Sequence, residues 1–531
     1  MKLRVTDLKL AIGQDEAELP SVAAQRLNCG PDEICQWRIL RKSLDARRRD
    51  DIHYVYSLAV DVPDVELASS ATALPRGVAA LTDDSFQWPE PGQAPMPLRP
   101  VVIGSGPAGL YAAYMLAISG YRPIMLERGK AVKERVADVR AFDTGGPHDP
   151  ESNYLFGEGG AGTFSDGKLT CRNTGPDVTR VLEIMAECHG KPSIVYEHRP
   201  HLGSNRLPLI VRTLRKKMEQ AGGEARFDCR VEDILIENGQ VKGVATSSGF
   251  IETNTVVLAI GHSARDTYDM LYRRGVPLEF KPFQMGVRIE QPQALITRAR
   301  YGESAGVLGL GAADYNLAVH AGPRDLFTFC MCAGGYIMAS VSEAGHFCSN
   351  GMSESYHDSP FANSGLVMTI TADDVGSSHP LAGIEFQRRA ESAAYEMGSG
   401  SYQCPTHRAS DFLRHRRSHG KVLTSAPRGA FAGSLADFLP PMMLKTLERG
   451  LPVMDRSLRG AFLKEAVLVG PEARGSSPVK IPREDLSRET PGISGLYPCG
   501  EGAGYAGGIV SAAADGLRTA RAIVSRYAVT G

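Results

Sequence analysis

The chain has 531 residues, of which 43% are hydrophobic and 22% are charged, and its net charge is -1. This length predicts roughly two to four domains, and the composition excludes a disordered chain. The near-zero charge provides no global field for nucleic acid or an anionic membrane, so neither is expected as a partner. The N-terminal sequence MKLRVTDLKLAIGQDE has charges every few positions and no uninterrupted apolar core of a signal peptide. We therefore expect a cytoplasmic protein, and the oligomeric state stays open.

The 10 cysteines are scattered and form no C-x-x-C pair. This pattern is typical of a reducing compartment and lacks the paired spacing of zinc ligands, so no metal is expected.

Composition and predicted elements divide the chain into five segments. A small α+β domain is predicted over 1–62, followed by a linker rich in proline and alanine over 63–98. A dinucleotide-binding domain is predicted over 99–281 and is completed by 475–531, and a mixed α+β domain is inserted between these parts over 282–474.

The first chemical motif begins with the apolar strand Val101–Ile103. Gly104, Gly106 and Gly109 follow it as G-x-G-x-x-G at the start of a predicted helix. In this motif the first glycine permits a tight turn, the second lets the backbone approach a pyrophosphate, and the third allows close helix–strand packing. Glu127 ends the next strand near the offset of about 20 residues expected for an acid that binds a ribose hydroxyl.

The same spacing recurs from Gly157 and from Gly502, so the pattern alone is weak. The first copy differs because a strand precedes it, a helix follows it, and the next strand ends in an acid. We therefore predict one complete dinucleotide fold.

The C-terminal sequence GLYPCGEGAGYAGG places a second glycine turn before a helix over Ile509–Tyr527. A helix N-terminus there would stabilise negative charge at the pyrimidine edge of a reduced isoalloxazine, which favours FAD over NAD. Glu501 would then reach the ribityl chain, and Tyr505 would cover a face of the flavin. Helix capping by Glu501 and simple packing by Tyr505 are the alternatives.

Seven segments in order resemble the bacterial FAD-dependent dehydrogenases of the NAD(FAD)-utilising family, within the glutathione-reductase-like FAD superfamily. They are RPVVIGSGPAGLYAAYMLA, NYLFGEGGAGTFSDGKL, LAIGHSARDTYDML, FTFCMCAGG, HPLAGIEFQRRA, ARGSSPVKIPR and GLYPCGEGAGYAGGI. The resemblance implies an α/β protein with a Rossmann-type FAD domain, an inserted α+β domain that faces the substrate, and a small N-terminal α+β domain. It also implies that FAD is bound by Gly104, Gly106, Pro107, Ala108, Gly109, Glu127, Arg128, Gly159, Gly160, Ala161, Ala259, Gly261, Gly500, Glu501, Gly507 and Gly508.

Four side chains are candidates for chemistry beside such a flavin. Lys168 could stabilise an anionic reduced flavin, although its loop could also wrap the cofactor with backbone amides alone. His262 could act as acid or base because imidazole titrates near neutral pH, or it could cap local backbone. Arg474 could bind a substrate carboxylate or phosphate through its planar fork, or form an ordinary surface ion pair. Tyr505, described above, is the fourth.

Cys330 and Cys332 would point to the same side of a regular strand. A redox pair is conceivable, but the pattern favours two buried thiols that act as small hydrophobic side chains.

The sequence as a whole predicts an oxidoreductase that transfers a hydride between bound FAD and a small organic substrate. NAD(P)H would serve as a transient reductant that approaches from the substrate side, because a second nucleotide fold is not predicted. The alternative that stays open is a flavin-dependent RNA-modifying protein, in which the basic run from Arg38 to Arg49 meets the RNA. A charged edge strand explains that run equally well.

Overall fold

The computed structural model describes residues 1–63, 74–82, 85–171, 173–307 and 309–529. Parts of the predicted linker, residues 64–73, 83 and 84, lie outside the described residues. Within the described part the α/β class is confirmed, because a parallel sheet flanked by helices is joined to a second, mixed sheet and to a small antiparallel sheet.

The small antiparallel sheet belongs to the N-terminal domain and has the strand order β2-β3-β1-β4. One helix covers it and buries Leu19, Ala23 and Leu27, a spacing that places all three side chains on one helical face. The strand β4 comes from the segment predicted as a linker, so part of that segment belongs to this sheet. The elements are β1 (Lys2–Ala11), α1 (Leu19–Leu27), β2 (Gln36–Asp45), β3 (His53–Asp61) and β4 (Val78–Ala80).

The N-terminal domain lies against the rest of the chain. The backbone of Lys42 forms two hydrogen bonds of 2.8 Å with residues 196–198 of the larger unit. Its amide donates to the Tyr196 carbonyl, and its carbonyl accepts from the His198 amide. The hydroxyl of Tyr54 also donates to the Gly309 carbonyl at 3.1 Å. These contacts hold the small sheet on the surface of the larger unit.

The nucleotide domain begins after residue 98 and returns near the C-terminus. Its first part comprises β5 (Val101–Ile103), α2 (Pro107–Ile118), β6 (Ile124–Leu126), α3 (Val132–Asp143), α4 (Pro176–Glu187), α5 (Leu207–Gln220), β7 (Glu224–Arg226), β8 (Val231–Glu237), β9 (Gln240–Thr246), β10 (Gly249–Glu252), β11 (Val256–Leu258), α6 (Arg265–Arg273) and β12 (Glu279–Phe280).

The inserted domain is a mixed seven-stranded sheet with helices on it. Its elements are β13 (Phe283–Pro292), α7 (Gln293–Tyr301), β14 (Ala318–His320), β15 (Asp325–Cys332), β16 (Gly335–Ala339), β17 (Ser349–Ser353), β18 (Phe361–Ile370), α8 (Ala372–Val375), α9 (Ala382–Met397), β19 (Cys404–Arg408), α10 (Ala409–Phe412), β20 (Ala430–Ala432), α11 (Pro441–Ser457) and β21 (Val467–Glu472). The strand order is β14-β15-β18-β13-β21-β19-β20, and β16 and β17 form a separate hairpin.

The nucleotide domain is completed by β22 (Val479–Lys480), β23 (Leu496–Pro498) and α12 (Ile509–Arg526). Its parallel sheet has the order β23-β11-β5-β6-β7. The central strands are short, apolar and buried, because one face of the sheet packs against α2 and α12 and the other against α6, β8 and β9. Helices α2 and α12 pack so closely that a Cβ at Gly516 would overlap the Ala108 carbonyl. The strands end at one edge, where ligands of such sheets bind.

Candidate functional site

A cavity of about 400 Å³ opens at the carboxyl edge of the parallel sheet and extends to the inserted domain. This volume lies within the range of about 300–1,000 Å³ typical of ligand sites. The nucleotide domain contributes the turns after β5, β6, β11 and β23, and the inserted domain contributes residues of β15 and β17. The lining includes the predicted residues Gly104, Gly106, Pro107, Ala108, Glu127, Arg128, Gly160, Ala161, Lys168, Ala259, Gly261, His262, Arg474, Glu501, Gly507 and Gly508.

The turn after β5 has the geometry that the motif predicts. Gly104 adopts φ +97° and packs against the Ala259 carbonyl, and a Cβ at Gly109 would overlap the Gly104 carbonyl. Gly106, by contrast, has no neighbouring atom closer than 4.0 Å to an added Cβ, because its Cα faces the cavity. Gly106 is also the N-cap of α2, so amide groups of the first helical turn point towards the open space.

Glu127 connects this turn to a second loop. One carboxylate oxygen accepts hydrogen bonds from the amide of Ser105 at 3.0 Å and from its hydroxyl at 2.6 Å. The other oxygen accepts from the amides of Gly129 and Gly157, both at 3.0 Å. The side chain is only 5% exposed, and it still lines the cavity. The carboxylate therefore fixes the shape of this end of the site as well as presenting an acceptor to a ligand.

The neighbouring glycine loop forms a short 3₁₀ helix over Gly160–Phe164. Gly160 approaches Gly106 and, with Ala161, lines the cavity. Gly159 does not line it in the described structure; its φ is +84°, and an added Cβ would overlap the Thr163 hydroxyl. Gly159 thus shapes the loop instead of facing the cavity.

Arg128 lines the cavity but its charge is already paired. Its guanidinium donates to Glu151 at 2.6 Å and to Asp266 at 2.9 Å, and it lies over the Phe156 ring at 4.2 Å. It therefore forms a fixed wall of the site.

The C-terminal turn reaches the cavity through Gly507 and Gly508. Gly508 is the N-cap of α12, and in the described structure no side chain caps this helix end. An added Cβ at Gly507 would meet no atom within 4 Å. Gly500 does not line the cavity as described; it packs against Ala108, and its amide donates to Asp515 at 2.8 Å.

Glu501, in the same turn, is a carboxyl group with a strongly altered pKa. Burial raises its pKa from the ordinary 4.5 to about 7, although the Lys281 ammonium acts in the opposite direction. At neutral pH this side chain can therefore both donate and accept a hydrogen bond.

Lys168 lies in the cavity wall beside Asp166, with 3.2 Å between the Nζ atom and the carboxylate. Burial alone would lower the pKa of Lys168, but the Asp166 charge outweighs it and raises the pKa. Asp166 is itself held by the Ser353 hydroxyl and lies 3.2 Å from the His201 ring. Burial by itself would raise the pKa of Asp166, but Lys168 and His201 outweigh burial and hold the pKa below its ordinary value. The carboxyl group is therefore ionised.

His262 lies in the cavity wall with its Nδ1 atom 2.8 Å from the Ser263 hydroxyl. Burial, together with the positive charges of Arg474 and Arg265, lowers the pKa of His262 to about 4. The imidazole is therefore neutral at pH 7. In this form it can accept a proton or donate a neutral hydrogen bond, but it carries no proton that it could release as an acid from the imidazolium form.

Arg474 lines the cavity, but its planar fork is occupied. The Nε and Nη2 atoms donate to the two Glu391 oxygens at 3.0 and 2.9 Å, and a further nitrogen donates to the Ser342 hydroxyl. Glu391 is completely buried and also pairs with Arg265. Bidentate capture of a substrate carboxylate by Arg474, which the motif suggested, would require breaking this buried pair.

Tyr505 does not line the cavity in the part of the chain that the structure describes. Its ring lies 3.7 Å from the Arg483 guanidinium carbon, and its hydroxyl accepts a hydrogen bond from the Arg483 amide at 3.2 Å. These contacts are of the kind that the packing alternative expects.

The inserted domain supplies wall residues that sequence analysis did not identify as site residues. Phe329 of β15 and Asn350 and Gly351 of β17 line the cavity. Cys330 also lines it, although its sequence context favoured a buried thiol. Local sequence carries no signal for these positions, because β15 belongs to the seven-stranded sheet and β17 to the separate hairpin, and only the packing of these two elements brings them together.

The basic run of the N-terminal domain is largely paired within the protein. Arg47 and Arg48 bind the neighbouring Asp45 and Asp50, and Lys42 binds Glu16 at 2.6 Å. Arg41 contacts the His198 ring, and Arg49 donates to the Ala299 carbonyl. These contacts reduce the charge available to an RNA backbone.

In the described residues, three or more His, Cys, Asp or Glu side chains are nowhere grouped as metal ligands. A helix long and apolar enough to cross a membrane is likewise absent from that part of the chain.

The cavity and its glycines fit a dinucleotide that enters along the carboxyl edge of the sheet. A family model described as "FAD-dependent protein, C-terminal domain-like" matches residues 282–475, and a domain of unknown function (DUF8436) matches residues 2–61. The first match covers the inserted domain and associates it with FAD-dependent proteins. The chain is 38% identical over 531 residues to an uncharacterised protein of Clostridium beijerinckii, with 99% of each chain covered, and it belongs to the same family.

More distant similarities are partial. A thiamine thiazole synthase of Aeropyrum pernix is 26% identical over 147 residues, covering 28% of this chain and 43% of that protein. Among solved structures, a glycine oxidase of Bacillus cereus is 12% identical and covers 80% of this chain and 94% of its own, with a TM-score of 0.33.

Proposed function

We propose that this protein transfers a hydride between FAD, bound in the cavity, and a small organic substrate, with NAD(P)H as a transient reductant. The observation that carries the proposal is the continuity of the cavity, which joins the dinucleotide turn at Gly104 to the inserted domain at Cys330 and Asn350. A cofactor held at the first end would thus present its far end to the second domain.

The residues at the first end suit the adenosine and pyrophosphate of FAD. Gly106 leaves room for close approach of phosphate, and the amides at the start of α2 favour its charge. Glu127 offers a carboxylate to a ribose hydroxyl. Gly261 also leaves space open, because an added Cβ would meet no atom within 4 Å.

When bound, the isoalloxazine of FAD supplies the group that accepts or donates a hydride. The surrounding side chains then control charge and protons. The Lys168 ammonium stays positive beside Asp166 and would stabilise negative charge in the cavity. The neutral His262 imidazole can accept a proton from a substrate, and Glu501 can donate or accept a hydrogen bond near neutral pH.

NAD(P)H would approach from the inserted domain. The described residues contain one parallel sheet with a dinucleotide-type glycine turn, and the FAD proposal occupies that turn. A nicotinamide donor would therefore enter and leave through the space that the substrate also uses.

The test begins with the purified protein, which should be yellow and should release FAD on denaturation. Chromatography of the released flavin distinguishes FAD from FMN. Anaerobic mixing with NADH and NADPH should bleach the flavin absorbance, and a metabolite screen for reoxidation would then identify the substrate class. The Gly106→Val variant is the matched control, because it should contain no flavin to bleach. Release of FMN, or no flavin after reconstitution with FAD, would overturn the proposal.

A further inference from the structure

Cys330 and Cys332 occupy a bulge at the cavity end of β15. In the pairing of β15 with β18, Phe329 lies opposite Gly365 and Cys332 lies opposite Asn363, so the first strand has one extra residue. Cys330 adopts φ +45°, a left-handed conformation uncommon outside glycine. Such bulges redirect side chains and occur often beside functional sites.

The bulge changes the relation between the two thiols. In a regular strand both would lie on one face, but here the bulge changes the course of the chain between them. The Cys332 thiol donates to the Cys330 carbonyl oxygen at 3.4 Å. The Arg288 guanidinium donates to that carbonyl at 3.2 Å and also pairs with the buried Glu472. These two contacts hold the backbone of the bulge in place.

The two cysteines have different surroundings. Cys330 lines the cavity, whereas Cys332 is completely buried behind it. The neighbouring Cys332 thiol lowers the pKa of the Cys330 thiol against the effect of burial, and the nearby Lys168 ammonium adds to the lowering. Burial raises the pKa of Cys332. This asymmetry, with a reactive outer thiol and a protected inner thiol, is typical of a thiol pair in which one member attacks and the other resolves.

We propose that Cys330 and Cys332 form a redox-active dithiol that exchanges two electrons with the FAD of the proposed function. Oxidation of the pair forms one bond between the two sulfurs and breaks both S–H bonds. The two electrons and one proton pass to oxidised flavin, and the second proton passes to solvent. Reduction runs in the opposite sense, with reduced flavin as the source of electrons.

This assignment explains features that a buried, inert thiol does not require. A cysteine that serves only as a small hydrophobic side chain would fit in the interior of a regular strand. Cys330 instead has a strained backbone and faces the cavity near a paired lysine. Strained backbone of this kind is concentrated at functional sites.

The experiment compares the wild-type holoprotein with Cys330→Ala, Cys332→Ala and the control Cys404→Ala. Cys404 is also completely buried in the seven-stranded sheet and does not line the described cavity. Anaerobic titration with dithionite should require about twice the reductant per FAD in the oxidised wild type and the control as in the two cysteine variants, because each couple takes up two electrons.

A second measurement depends on neither activity nor stable variants. Wild-type protein oxidised by ferricyanide is denatured in an alkylating agent and digested, and the peptide that contains both cysteines is analysed by mass spectrometry. We expect this peptide to be unalkylated and internally bridged, and to become doubly alkylated after anaerobic photoreduction of the bound FAD.

The outcomes separate this inference from the proposed function. Bound FAD with equal reductant uptake in all four proteins, or a peptide that is always doubly alkylated, would overturn the cysteine pair alone. A protein that binds no FAD would overturn the proposed function and the electron exchange together.

Discussion

The two ends of the cavity are assembled in different ways. The end at Gly104 is formed mainly by backbone amides and by one carboxylate, Glu127, that hydrogen-bonds to them. The other end, which meets the inserted domain, is lined by side chains whose charges are already paired, Lys168 with the neighbouring Asp166 and Arg474 with Glu391 of α9. The first end is suited to holding a ligand, whereas the second is suited to adjusting charge around a reacting group.

If this contrast is correct, Gly106→Val should remove FAD almost completely without unfolding the protein. A valine side chain would occupy the space where phosphate meets backbone, yet an added Cβ meets no protein atom closer than 4.0 Å. Flavin content after desalting is the first measurement. Thermal unfolding of the FAD-free wild type and variant is the control and should give similar Tm values. A variant that retains FAD would show that the pyrophosphate lies elsewhere.

Glu127→Ala should weaken both the protein and its ligand. Removal of the carboxylate leaves the amides of Ser105, Gly129 and Gly157 without this acceptor. Loss of such buried hydrogen bonds should lower the free energy of unfolding of the FAD-free protein by about 1–3 kcal/mol. FAD affinity should fall by a similar amount. Urea unfolding and equilibrium dialysis measure the two effects.

Glu134→Ala, which removes an exposed carboxylate in the first turn of α3, is the control for both measurements. Equal stability of the Glu127 and Glu134 variants would contradict the structural role assigned to Glu127.

The same contrast explains which parts of the site could be predicted from the sequence. The glycine turn depends on residues close in the chain, so its spacing after Val101–Ile103 was sufficient to predict the helix and the cavity wall. Gly109 was correctly expected to pack against the strand turn. The helix predicted over Ile509–Tyr527 is observed one residue shorter.

The other end depends on contacts between distant segments, and sequence patterns contain little information about them. For Arg474 the sequence leaves both a substrate ligand and an ion pair open, because its partner Glu391 lies on the distant helix α9. Cys330 and Cys332 are predicted on one face of a regular strand, but a bulge, which no local residue type requires, interrupts the strand between them. For Tyr505 the sequence leaves flavin contact and packing open, and the structure shows the contact of its ring with Arg483.

Glu501 lies between the two ends, and its ionisation should be visible in the pH dependence of stability. Its pKa in the folded protein is about 7, above the ordinary 4.5, so the folded state binds a proton more tightly than the unfolded state. Its contribution is complete below about pH 4.5 and is lost as the pH rises to about 7. Relative to Glu501→Gln, the FAD-free wild type should lose about 2–3 kcal/mol across this window.

Urea unfolding at several pH values between 4.5 and 7.5 checks this expectation. Glu484→Gln, at an exposed position of the same C-terminal segment, is the control and should follow the wild type. A constant difference between wild type and Glu501→Gln at all pH values would contradict a raised pKa.

The smallest effect is expected at the C-terminal turn. There, backbone amides like those at the Gly104 end are proposed to meet the isoalloxazine, the reacting part of the cofactor. The amides at the start of α12 are directed by Gly507 and Gly508, and both residues line the cavity. Because a helix N-terminus carries partial positive charge, it should stabilise reduced flavin, which is more negative than oxidised flavin. Gly507→Val fits the backbone, since an added Cβ meets nothing within 4 Å, but it would push the flavin away from these amides. Weakening this interaction by about 0.3–1 kcal/mol should lower the reduction potential by roughly 10–20 mV. Titration of the bound flavin against a reference dye measures the shift, and Ser525→Val, at the exposed opposite end of α12, should leave the potential unchanged. If Gly507→Val retains FAD with an unaltered potential, α12 does not point at the isoalloxazine, and this turn serves retention of the cofactor only.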